Sequence, residues 1–90
     1  MVEQQQIEQD WQARGFSCGL WVDAPGQEWV DFVHEVDELV VLVAGEIELE
    51  VQGKTVRPAV GEEVFIPAHT SHTVRNVGGT TARWLYGYRR

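Results

Sequence analysis

Only three side chains in this 90-residue sequence are imidazoles: His34, His69 and His72. His34 and Glu38 are four residues apart. On one uninterrupted strand an even separation puts two side chains on the same face, and Phe32 shares that face. A histidine and a carboxylate turned into the interior of a β-protein are costly unless something pairs them, and a bound cation is a common reason. His72 opens a second strand-like segment, with Val74 and Asn76 on its face. If the two strands are neighbours, two imidazoles and one carboxylate converge. The opposing reading is a core histidine hydrogen-bonded to Glu38.

The other polar and aromatic candidates have plainer readings. His69 lies in the turn Pro67-Ala68-His69-Thr70-Ser71, three residues from His72. It reads as an exposed turn residue at the pocket, with replacement of a missing ligand as the alternative. Asp31 and Asp37 have the wrong strand parity relative to His34 and read as solvated. The row Trp84, Tyr86, Tyr88 alternates along one strand and reads as core or subunit interface before ligand box. Glu46, Glu48 and Glu50 read as a solvated strand face. Cys18 reads as a small buried apolar residue, and Arg89 and Arg90 as a solvated end.

These residues have to be positioned by strands. From residue 15 onward the hydrophobic period is two, most clearly in Glu46-Ile47-Glu48-Leu49-Glu50-Val51-Gln52, followed by a hairpin turn at Gly53-Lys54. The run Leu39–Val43 is apolar on both faces, as in a strand between two packed layers or one whose outer face meets a partner. Further strands are expected at Gly15–Val22, Trp29–His34, Glu63–Ile66, His72–Val77 and Thr81–Tyr88, separated by turn signals such as Ala24-Pro25-Gly26 and Gly78-Gly79. Residues 1–13 form a polar leader in which Ile7 and Trp11 are spaced for one helix face, either a frayed helix or an arm that packs on another subunit. The sequence thus predicts a polar N-terminal arm over 1–13 and one all-β domain over 14–90, a β-sandwich or small barrel.

The spacing of these residues resembles the two motifs of the cupin superfamily. Gly26, five residues, Phe32-Val33-His34, three residues, Glu38, six residues and Gly45 are similar to the first motif. Gly61, five residues, Pro67-Ala68-His69, two residues, His72, three residues and Asn76 are similar to the second. Fifteen residues separate them, as in the short bacterial form. The resemblance implies a double-stranded β-helix, or jelly-roll barrel. It also implies a metal held by His34, Glu38 and His72. Phe32 stands where the family has its first metal-binding histidine, and His69 where it has a glycine. Phe32 then becomes an apolar wall of the pocket. The implied cofactor is one divalent ion (Fe, Mn, Ni, Co or Zn) with open positions for an oxygen-bearing small molecule. Oxygenation, isomerisation and hydrolysis are all compatible with it. A non-catalytic small-ligand or sensor module with a degenerate site is the alternative.

Composition narrows the rest. The net charge of −7 argues against nucleic acid and anionic membranes as partners. A single cysteine excludes an intrachain disulfide and a cysteine-based metal cluster. The first residues lack a secretion signal's basic start and apolar core, so a cytoplasmic setting is expected. A chain this small, with an apolar strand and many aromatics, gains buried area by pairing, and a homodimer is expected.

Overall fold

The structure is a computed structural model and describes residues 2–90. Among them are one helix, α1 (Gln4–Ala13), and eight strands. The strands are β1 (Gly19–Asp23), β2 (Glu28–Phe32), β3 (Glu38–Ala44), β4 (Ile47–Val51), β5 (Lys54–Val56), β6 (Glu63–Ile66), β7 (His72–Asn76) and β8 (Ala82–Tyr88). They form two four-stranded sheets, in the orders β1-β8-β3-β6 and β2-β7-β4-β5. Every neighbouring pair is antiparallel. The two sheets make a β-sandwich whose inner core contains Val40, Leu42, Ile47, Leu49, Ile66, Val74 and Trp84.

Strand β3 explains the run that is apolar on both faces. Val40 and Leu42 point into the sandwich, while Leu39 and Val41 point outward against Trp11, Phe16 and Leu85. The cover is therefore α1 of the same chain, and the apolar face that suggested a partner is buried internally. Trp11, 1% exposed, is the helix's anchor. Its Nε1–H donates to Glu63 Oε1 at 3.0 Å, and Arg14 donates to both Glu63 oxygens at 2.9 Å. Gly87 of β8 makes room for this packing: a Cβ there would lie 2.7 Å from Trp11 Cε3.

Two turns differ from the sequence reading. The hairpin turn is Gln52-Gly53, not Gly53-Lys54, because both central residues take positive φ (52° and 77°) and Val51 pairs with Lys54. The chain then continues as the short, exposed β5, which the sequence pattern did not reveal. The expected strand over Gly15–Val22 begins only at Gly19, with Phe16 making an isolated bridge to Arg89.

Several charged residues that read as solvated also make ion pairs. Arg75 lies between Glu48 and Glu50, at 3.4 and 3.2 Å, and Arg57 meets Glu48 at 3.0 Å. Arg89 donates to Asp37 at 3.1 Å and stands over the Phe16 ring. Asp37 in turn accepts the Ala68 N–H at 2.8 Å. These contacts tie loops and strand ends to the body; Arg89 and Arg90 remain exposed as expected, while strand parity gave no sign of the Asp37 contacts. Cys18 is half-buried, and burial pushes its thiol pKa up, with Glu8 adding to the shift.

Candidate metal centre

The three donor residues come from three different places. His72 is the first residue of β7, Glu38 the first residue of β3 in the other sheet, and His34 lies in the connection from β2 to β3. The premise of one uninterrupted strand from Phe32 to Glu38 is therefore incorrect: β2 ends at Phe32 and the chain crosses between sheets before β3 begins. The crossing is pinned from the far side. The His69 N–H donates to the His34 carbonyl at 2.8 Å, and the Asp37 carboxylate holds Ala68 N–H and Arg89.

This arrangement brings one ligand-type atom from each of His34, Glu38 and His72 within 4.8 Å of the others. Glu38 Oε1 is 3.3 Å from His72 Nε2 and 3.6 Å from His34 Nε2. Glu38 and His72 are each 4% exposed. His72 Nδ1 lies 3.1 Å from the Thr70 carbonyl oxygen, which can only accept, so Nδ1 carries the proton. In the neutral ring Nε2 is then a bare lone pair facing a carboxylate oxygen. Glu38 Oε1 is buried and has no hydrogen-bond partner. Two acceptors face each other there, and only a proton or a cation between them relieves the conflict.

The electrostatics follow. Burial is the largest influence on His72 and disfavours its charged form. Glu38, both as partner and as negative charge, and the Thr70 carbonyl together outweigh it, so the His72 pKa lies above the usual histidine value. Tyr88, whose Oη is 3.4 Å from His34 Nε2, is pushed up to about 12 by burial and then by the charge of Glu38.

The donors sit in a cavity of about 430 Å³ whose other walls are largely aromatic: Trp21, Trp29, Phe32, Trp84, Tyr86 and Tyr88, with Val74. The Trp84–Tyr86–Tyr88 row, read from sequence as core or interface, thus lines the site. Phe32 is there as well, 41% exposed and stacked on His34 with ring centroids 6.2 Å apart. Its place depends on a bulge. Trp29 pairs with Val74 and Phe32 with His72, so β2 carries one extra residue, with Asp31 at φ 55°. His69 is not in the lining; it is an exposed turn residue at φ 60°.

Asp23 is the residue that sequence reasoning missed. It is 2% exposed and accepts the indole N–H groups of Trp21, Trp29 and Trp84. The only signal in the sequence was an acidic residue two positions from a tryptophan on a strand.

A family model describing a cupin domain matches residues 19–88. The chain belongs to the cupin family. Solved structures agree on the fold of this cupin. A Cupin 2 conserved barrel domain protein from Salinispora arenicola is 22% identical with a TM-score of 0.74, over 84% of this chain and 64% of that one. A conserved protein of unknown function from Streptococcus pyogenes is 21% identical with a TM-score of 0.75, over 84% and 65%. A predicted oxalate decarboxylase from Thermotoga maritima is 20% identical with a TM-score of 0.75, over 99% and 75%. This cupin thus spans less than two thirds of the Salinispora and Streptococcus chains, which extend beyond the part they share with it. No curated protein matches the sequence. No helix among the described residues is long and apolar enough to cross a membrane.

Proposed function

We propose that this cupin binds one divalent first-row metal ion through His34, Glu38 and His72, and that the aromatic cavity receives an oxygen-bearing small molecule beside it. The observation that carries the reading is Glu38 Oε1, buried and without a hydrogen-bond partner between two imidazole nitrogens. The donor set suits Fe, Mn, Ni, Co or Zn. Such an ion supplies Lewis-acid polarisation of a ligand oxygen. The chain's own residues do the rest. The Thr70 carbonyl fixes the His72 tautomer, the His69 N–H and Asp37 hold the loop that carries His34, and the aromatic walls shape the space beside the donors. The strand order supports a jelly-roll reading of the sandwich. The net charge of −7 supports partners other than nucleic acid and anionic membranes, the small size of the chain supports a homodimer, and the single cysteine suits a reducing, cytoplasmic setting.

Metal analysis of the purified chain tests the reading. One ion per chain is expected, and added metal at about a hundred times its Kd raises stability by about 2.7 kcal/mol. A chain that carries no metal and shows no thermal shift with any of the five ions overturns it. A non-catalytic small-ligand or sensor module with a degenerate metal site is the second reading, favoured by Phe32, whose ring occupies the position beside His72. His72→Ala separates the two: unchanged metal content and a loss of about 1 kcal/mol leave only a lost core hydrogen bond.

A further inference from the structure

The pocket has a second end, and its chemistry differs from that of the histidines. Trp21 Nε1–H donates to Asp23 Oδ1 at 2.8 Å, Trp29 Nε1–H to the same oxygen at 2.9 Å, and Trp84 Nε1–H to Oδ2 at 3.1 Å. Trp21 and Trp84 belong to one sheet and Trp29 to the other, so one carboxylate sets indoles from both. Asp23 lies behind the wall, outside the cavity lining. Three N–H groups turned toward Asp23 are lost to a ligand. The indoles leave the cavity only carbon edges and π faces.

These rings meet as the corners of a box. Trp21 stands nearly perpendicular to Trp29, at 5.5 Å and 80°, and to Tyr86, at 6.0 Å and 79°. Gly19 makes room for Tyr86, since a Cβ there would lie 2.8 Å from its ring. Among the described residues no lysine or arginine lines the cavity, and Glu38 adds a carboxylate at its far end. Aromatic faces carry negative potential, so the tryptophan walls favour a cation over an anion. An aromatic box whose indole N–H groups are already engaged suits a cation that needs few hydrogen-bond acceptors. A primary ammonium has three N–H groups to satisfy and finds few acceptors at the tryptophan end, whereas a quaternary one has none.

We propose that the tryptophan end of the cavity binds the quaternary ammonium group of a small molecule. The inference rests on the cavity being the ligand site and is independent of whether the metal is present. Calorimetric titration of chelator-treated full chain with choline, and with the neutral isostere in which carbon replaces nitrogen, tests it. Choline is expected to bind roughly tenfold tighter or more. Trp21→Phe keeps that preference and Trp21→Leu removes it, although both lose the same bond to Asp23, which separates the π face from the hydrogen bond. Equal or tighter binding of the isostere, or no binding of choline, overturns the proposal. Should Trp21→Leu not fold by circular dichroism, the choline–isostere comparison on the unaltered chain decides alone. A choline preference in a chain that takes up no metal supports this inference while removing the metal reading. Metal uptake without a choline preference does the opposite.

Discussion

Phe32 and His72 are register partners across the β2–β7 pair, with ring centroids 6.4 Å apart. The residue in place of a family ligand is thus the immediate neighbour of a retained one. Phe32→His places a further imidazole at that spot, and metal affinity is expected to rise roughly tenfold or more, measured by competition with a chromophoric chelator. Unchanged affinity would show that side chains at position 32 do not reach the ion.

Glu38 invites a crossed result. Glu38→Gln keeps the shape and supplies an N–H that can donate to His72 Nε2. In alkaline buffer with chelator, where His72 is neutral, the variant gains about 1 kcal/mol, a rise of about 4–8 °C in thermal midpoint. The midpoint shift on adding zinc disappears in the same protein. Thermal melts with and without zinc check both halves, and a variant that melts lower in chelator argues that Glu38 is at ease without an ion.

Asp23 carries three indole donors, so its removal is expensive. Asp23→Ala leaves them without an acceptor and is expected to cost roughly 3–5 kcal/mol, while Asp23→Asn keeps one oxygen and costs about half. Urea unfolding followed by tryptophan fluorescence measures both. Equal losses in the two variants would mean that volume, not hydrogen bonding, sets the cost.

Acid should loosen the helix first. Arg14, and to a lesser degree Trp11, hold the Glu63 carboxyl below the usual range against the opposing effect of burial. A lowered folded pKa stabilises the protein above the unfolded value, and that contribution is lost as pH falls through the folded one. Asp37, held down by the Ala68 N–H and then by Arg89, acts in the same sense. Stability is therefore expected to fall from about pH 4 downward. Glu63→Gln should be less stable at neutral pH and flatter in acid. Denaturant midpoints across that range decide it, and parallel curves would remove Glu63 from the account.

The strands were legible because alternation survives in the sequence, as along Ile47, Leu49 and Val51 with acids between them. Strand parity served the site less well. The bulge at Asp31 puts Trp29 and Phe32, an odd distance apart, into one cavity, and His34 owes its place to backbone contacts with a turn 35 residues away. Motif spacing captured His34, Glu38 and His72 without knowledge of that path. Asp23 was illegible because its three partners lie on three strands of two sheets, and the one local hint, Trp21 two positions away, says nothing of the other two.

Glu38 belongs to one layer of the sandwich, His72 to the other, and His34 to the strap between them. An ion gripped by all three would rivet the layers together, so its binding adds to the work of parting them. The core holds the layers without it, and scarcity of metal in the surroundings would be felt by this small domain as a lower margin against heat.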